Sequence, residues 1–275
     1  MRSSKLTAVT AVTALLAGLA LVASATPALA QRRETAADAF NWEGRIAPGR
    51  WLHLKNMNGP ITVEGTSGDR VEVRATKRWR RGDPDDVRIE VRRVGLDSSD
   101  VLICALWYEN SSCSEDSYRS NNSGWRRNDT EVEFVVRLPR DVRINVSTVN
   151  GAIDVDGATS EVEAQTVNGG IEATTSGGPV NAETVNGDIR VRMSELGSDA
   201  DLTYSTVNGS VTVELPERVD ADVEMTTVNG SLSADYPLTL QGRISPRRIR
   251  ATIGQGGRRM EFKTVNGDVR LVKRS

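Results

Sequence analysis

The stretch "EAQTVNGGIEATTSGGPVNAETVNGDIRV", residues 163–191, contains Thr-Val-Asn-Gly twice, each time between short runs that alternate apolar and polar residues. The same tetrapeptide stands at Thr148–Gly151, Thr206–Gly209, Thr227–Gly230 and Thr264–Gly267. The asparagines of the set are Asn150, Asn168, Asn186, Asn208, Asn229 and Asn266, spaced by 18, 18, 22, 21 and 37 residues. An earlier relative, "NMNG" at Asn56–Gly59, contributes Asn58 and is followed by "PITVEG" as a later motif is followed by "AIDVDG". Self-similarity at about twenty residues marks a stacked repeat. The last spacing is close to two repeats, and "ATIGQGG" at 251–257 falls where a degenerate turn is expected.

Within each unit the periodicity is that of strands. Val180, Ala182 and Thr184 alternate before one corner, with Ile189 and Val191 after it. Leu202, Tyr204 and Thr206 lead into Val211, Val213 and Leu215, and Met260, Phe262 and Thr264 lead into Val269 and Leu271. Period two in short runs bounded by Asn-Gly is the signal of half-buried strands. "LPRDV" (138–142) and "LPERV" (215–219) punctuate the chain between motifs, so each unit has two strands and two turns. Helical periodicity is absent after residue 30, apart from a short turn expected near Thr35–Phe40.

Two all-β arrangements fit. Asn-Gly between alternating strands is a strong hairpin signal, because both residues accept positive φ, and it predicts an antiparallel meander. If each unit is instead one coil of a solenoid, successive corners stack about 4.8 Å apart and identical residues form ladders. Thr and Asn then follow the inward register, Gly turns the corner, and each Val projects outward as an exposed row. The solenoid explains better why one corner repeats while the other drifts. It predicts roughly eight to ten rungs of about 18–22 residues.

The six motifs, "LPRDVRINVSTVNG" and the ending "GRISPRRIRATIGQGGRRMEFKTVNGDVRLVK" resemble the bacterial DUF4097 family, β-strand-repeat proteins labelled adhesin-like. The resemblance spans about residues 50–273. It implies a right-handed β-solenoid-like fold and an exported or envelope location, and it carries over no catalytic residues. The segment "DSSDVLICALWYENSSCSEDSYRSNNSGWRRNDT" resembles a cysteine-bearing loop of some members.

Arg2 and Lys5, an apolar run from about Leu6 to Val22, and Ala28-Leu29-Ala30 read as a secretory signal peptide over 1–30. The domain plan expected is that leader, an N-terminal linker at 31–48, and one repeat domain at 49–275 with a disulfide-bearing insertion at 96–129. No later apolar run is long enough to span a bilayer. Without Arg2 and Lys5, the 35 Lys+Arg become 33 against 37 Asp+Glu, a formal charge of −4. That balance gives no reason to expect nucleic acid. All five tryptophans precede residue 130, so the C-terminal half must build its core from aliphatic residues.

Cys104 and Cys113 are the only cysteines, and export permits a disulfide. A loop this short contributes roughly 2.5 kcal/mol by chain entropy. His53, the single histidine, alternates with Trp51 and Lys55 on a strand face. One histidine makes no His-rich metal site, and the EF-hand and calcium nonapeptide patterns are missing. Neither a metal nor a cofactor is therefore expected. Asp154 with Asp156, and Glu161 with Glu163, alternate as solvated faces do.

Basic clusters stand at "KRWRR" (77–81), "WRR" (125–127), "SPRRIR" (245–250) and "GGRR" (256–259). Arg78, Trp79, Arg80, Trp125 and Arg126 are surface-contact candidates for sugars or anionic polymers. Arg81-Gly82-Asp83 spells an integrin-type tripeptide, but its setting, "RRGDPDD", has the composition of a turn. The function expected is a non-enzymatic, exported, adhesin-like or scaffold surface whose partner is an envelope glycan or protein. The alternatives are an envelope-stress regulator that binds a membrane signalling protein and a β-helix enzyme acting on polysaccharide. Oligomeric state does not follow from the sequence.

Overall fold

The computed structural model describes residues 37–120, 128–197, 200–242 and 245–274. The expected leader at 1–30, the start of the linker, and Trp125 and Arg126 lie outside them. Alternation makes the strands. Val180–Glu183 buries Val180 and Ala182 and leaves Glu183 exposed, while Ile189–Met193 buries Ile189, Val191 and Met193 and exposes Arg190 and Arg192. Each such pair, joined through a Thr-Val-Asn-Gly corner, is one rung. Strands before the corner join an 11-stranded sheet and strands after it a 10-stranded sheet.

Neighbouring rungs pair parallel and in register, with Val162 opposite Val180 and Ile171 opposite Ile189. The architecture is a β-solenoid-like stack. The meander alternative fails because each corner carries the chain to the other sheet instead of back along the same one.

In space the pre-corner strands run Asp100–Trp107, Trp51–Lys55, Arg143–Ser147, Val162–Gln165, Val180–Glu183, Leu202–Ser205, Arg258–Lys263, Ala221–Thr226. The last motif thus sits inside the stack: Asn266 bridges Asn208 on one side and Asn229 on the other. The 37-residue gap does not hold two stacked repeats. The chain leaves the Asn229 rung, lays Arg248–Ile253 antiparallel against Ala221–Thr226 with Thr239–Leu240 antiparallel outside it, then pairs Arg258–Lys263 parallel on the other side of Ala221–Thr226. Val269–Lys273 is an inner strand, between Val211–Leu215 and Leu232–Ala234, so its terminal charge guards no sheet edge. Lys273 instead pairs with Glu217 at 3.0 Å, and the true edge is the three-residue Leu232–Ala234, kept short as exposed edges often are.

The other end closes with antiparallel strands: Val71–Arg78 on Glu131–Pro139, Ala37–Gly44 outside it, and Val87–Val94 on Asp100–Trp107. Residues 37–44 are therefore a strand, neither the expected linker nor a helical turn, because Phe40 and Trp42 pack against the core. Among the described residues the helical element is a single 3-10 turn, Pro84–Asp86. The insertion is also shorter than expected, since Asp100–Trp107, which carries Cys104, is a rung strand. Among the described residues of 100–129, those after Trp107 leave the stack.

Between the sheets, each rung supplies a thin layer of small aliphatic side chains, such as Ala164 and Ala182 facing Ile171 and Ala173. Tyr204 and Phe262 are fully buried and stack across adjacent rungs, ring centroids 5.2 Å apart.

Two side-chain ladders run through the corners. Thr hydroxyls donate to the Gly carbonyl of the adjacent rung: Thr166 to Gly151 at 2.9 Å, Thr184 to Gly169 at 2.9 Å, Thr206 to Gly187 at 3.0 Å, Thr264 to Gly209 at 2.8 Å. Asn amides donate in one direction, Asn168 to Asn150, Asn186 to Asn168, Asn208 to Asn186, Asn266 to Asn208 and Asn229 to Asn266, at 2.7–2.9 Å. Asn58 ends the row on the Thr130 carbonyl at 3.0 Å. The threonines are buried, but the six repeat asparagines are exposed, so the expected inward register holds for Thr and fails for Asn. The chain twists outward after Thr, and the amide ladder runs in solvent.

Nor is positive φ the reason for glycine. No corner Asn has it, and Gly209 and Gly267 sit near extended at 158°. Close approach is the reason: a Cβ on Gly187 would lie 2.0 Å from the Gly169 carbonyl oxygen, and one on Gly169 would lie 2.0 Å from that of Gly151.

Gly187→Ala should therefore cost about 2 kcal/mol or more, by forcing backbone apart. Gly170→Ala, whose Cβ would meet Asp188 O at 3.3 Å, should cost less than about 1 kcal/mol. Urea midpoints of the two variants check the difference.

Candidate contact surface

The repeat corner presents two outward rows. Val149, Val167, Val185, Val207, Val265 and Val228 are 37–46% exposed, as expected, and the asparagine ladder runs beside them. These residues hold the stack together and converge on no reacting centre.

The larger sheet's outer face shows the strongest convergence of charge. Two basic clusters far apart in sequence meet there, because Arg248–Ile253 and Arg258–Lys263 flank Ala221–Thr226 on opposite sides. Period two puts Arg248 and Arg250 on the same face as Glu224, and Arg259, Glu261 and Lys263 beside them. Arg250 lies 3.3 Å and Arg259 3.9 Å from Glu224, which Arg248 also contacts; Arg259 is 3.6 Å from Glu261, and Lys263 pairs with the same carboxylate. The four cations are exposed, while Glu224 and Glu261 are only 15% and 17% exposed. Burial works against the Glu224 charge, but hydrogen bonds from Arg248 and Arg250 outweigh it and hold its pKa below the ordinary value. The carboxylates anchor the guanidinium stems and leave a net positive platform.

The N-terminal candidates are more dispersed. Arg78 ends a strand and pairs with Glu133 at 2.9 Å, Trp79 is half-buried, and Arg80 is exposed. The Arg80 and Arg81 amides donate to Asp129, whose pKa they lower. In the Arg81-Gly82-Asp83 tripeptide, Asp83 caps the 3-10 turn by accepting from the Asp85 amide at 2.9 Å.

Cys104 and Cys113 form a disulfide, Cα atoms 6.5 Å apart. It fastens a flap over the outer face of the larger sheet, where Leu102, Cys104, Leu106 and Cys113 form a second small core with Val94 and Tyr118 against it. Tyr118 donates to the Ala105 carbonyl at 2.8 Å, and burial raises its pKa to about 12.

His53 lies on a strand face at the border of this flap, and burial lowers its pKa. Asp100 and Glu115, which the sequence did not single out, come to its side. They stand 47 and 62 residues downstream, a distance at which no motif spacing could have linked them.

The acidic pairs separate. Asp154 and Asp156 face outward from one sheet, Glu161 and Glu163 from the other. Asp154 stands opposite Glu172 in the adjacent rung, and its pKa is raised by burial first and then by Glu172 and Asp156. A groove of about 610 Å³ beside Trp42 holds Glu43, Glu64, Glu72, Arg74 and Arg137. Two of its three acids are engaged in surface ion pairs, Glu43 with Arg70 at 2.8 Å and Glu72 with Arg137 at 3.5 Å.

Residues 141–272 match the model of a family described as Toastrack DUF4097. A solved structure of a "putative cell adhesion protein" from Clostridium sporogenes ATCC 15579 is 11% identical, covers 86% of this chain and 100% of its own, and gives a TM-score of 0.38. A "putative adhesin" from Bacteroides fragilis NCTC 9343 is 9% identical, covers 87% of this chain and 98% of its own, with a TM-score of 0.26. No curated protein matches the chain.

A raised carboxylate pKa means that the folded state holds its proton more tightly than the unfolded chain. That contribution is present below the unfolded value and is lost as pH rises through the folded one. Asp154→Asn should therefore raise Tm at pH 7, with the gain shrinking toward zero below the ordinary Asp pKa of about 3.9. Thermal melts of variant and wild type across pH 3–7 check the sign.

Proposed function

We propose that the chain, whose residues 141–272 match the Toastrack DUF4097 family, is an exported, non-enzymatic scaffold whose basic platform binds an anionic polymer of the cell envelope. One observation carries this reading: Arg248, Arg250, Arg259 and Lys263 gather on three adjacent strands around the largely buried Glu224 and Glu261, with the exposed Asp222 as a third carboxylate on that face. Flat sheets bearing fixed guanidinium forks suit phosphate or carboxylate groups spaced along a polymer. A rigid stack places those forks without any ordering cost on binding. The disulfide fits an extracytoplasmic setting, and among the described residues no helix is long and apolar enough to cross a membrane.

The test is cosedimentation of the purified protein with separated envelope fractions (peptidoglycan, outer-membrane vesicles and solubilised inner-membrane protein) at two salt concentrations. Retention on a glycan or lipid fraction, weakened by salt, is expected. The double variant Arg250→Gln, Arg259→Gln keeps the Arg248–Glu224 contact and should lose about tenfold or more in affinity, at roughly 1 kcal/mol per cation. Retention only with membrane protein, indifferent to that variant, would overturn the electrostatic reading and assign contact to another surface, the valine row foremost.

A further inference from the structure

His53, Asp100 and Glu115 each place a donor atom within 4.8 Å of the others', and all three side chains are half-buried. Nδ1 of His53 is fully shielded and has no hydrogen-bond partner. Leaving such a nitrogen unpaired costs about 1–3 kcal/mol, and an imidazole beside two carboxylates with one nitrogen unpaired calls for a ligand.

The surroundings hold these donors in place. The His53 ring stacks on Trp51 with centroids 5.8 Å apart, and the Arg143 guanidinium lies 5.6 Å from the Trp51 ring. Oδ1 of Asp100 accepts from the Trp51 amide at 2.8 Å, which leaves its second oxygen for another partner. Glu115 sits in a turn closed by the Ser114 amide on the Ser117 carbonyl at 2.8 Å, with the two serine hydroxyls 2.8 Å apart. The disulfide and the Tyr118–Ala105 hydrogen bond tie that turn to the sheet. Lys55 faces the same region, where Asp116 and Glu163 oppose its charge; Glu163 also accepts from Asn145. The charges that act on His53 are thus the carboxylates of Glu115, Asp100 and Glu163 and the single ammonium of Lys55.

From this arrangement the geometry points to a divalent cation of the zinc type, held by His53, Asp100 and Glu115 with a fourth position open to water. One imidazole nitrogen and two carboxylate oxygens are a zinc donor set, whereas calcium takes oxygen ligands and gains nothing from imidazole. Donors about 2.0–2.2 Å from zinc stand about 3.3–3.6 Å apart, and rotation of Glu115 at the turn's tip closes the remaining distance. The ion ties the flap tip to the strand Trp51–Lys55 and adds a second fastening to the disulfide. This site is independent of the basic platform.

Isothermal titration of metal-free, disulfide-intact protein with zinc chloride tests it, with calcium chloride run alongside. One zinc per chain and a raised Tm are expected. His53→Gln and Glu115→Gln should each weaken binding by about tenfold or more, while Glu109→Gln in the same flap leaves it unchanged. The Glu115 substitution lies on a surface turn, so it stays informative even if His53→Gln does not fold. No zinc uptake, uptake undiminished in Glu115→Gln, or calcium bound more tightly than zinc would each overturn the site.

Discussion

The backbone approach at the corner governs the rest of the structure. Parallel strands in register stack about 4.8 Å apart, and where the chain crosses between sheets no side chain fits between one rung and the next. Glycine is required there by the carbonyl of the adjacent rung, 2.0 Å from where the Gly187 Cβ would be, and not by an unusual φ. With the glycines packed this closely, the Thr hydroxyl reaches the carbonyl and the Asn amide reaches its counterpart. Each bond contributes about 1 kcal/mol at most in the open, but the set repeats along the stack and pins every register at one place. The thin aliphatic layers can then vary, from Ala164 to Tyr204, without moving the strands.

Much of this was legible in the sequence because period two and a fixed corner are local signals. The strand alternation around Val180–Ala182 and Ile189–Val191, the buried threonines and the outward valines all follow from local pattern. The asparagines were misplaced because a two-residue period was carried one step past the strand, into a corner where it no longer holds. Rung order was illegible at the C-terminal end: nothing in "ATIGQGG" says that the preceding strand runs antiparallel or that the final rung inserts between two earlier ones. Asp100 was absorbed into a presumed insertion because Asp100–Trp107 carries a cysteine and apolar residues on both faces. Those residues are buried on both sides, one face in the stack and the other under the disulfide flap.

The two proposed sites arise from departures from simple repetition. The basic platform exists because the chain doubles back after the Asn229 rung and brings Arg248 and Arg250 beside Arg259. The His53 group exists because a flap folds over the outer face of a rung near the opposite end of the sheet. The regular middle of the stack repeats one layout, and both proposed sites sit where the repeat is interrupted. The out-of-order final rung also makes the C-terminal end cooperative, since the Asn229 rung has no parallel neighbour until residues 258–273 arrive.

The most direct test of the stack is the through-hydrogen-bond coupling of corner amides, measured by NMR on deuterated protein. The account predicts correlations from the Gly209 nitrogen to the Asn266 carbonyl and from the Gly267 nitrogen to the Asn229 carbonyl, matching bonds of 3.0 Å each. A correlation from Gly209 to Asn229, the partner that stacking in sequence order would give, would contradict it.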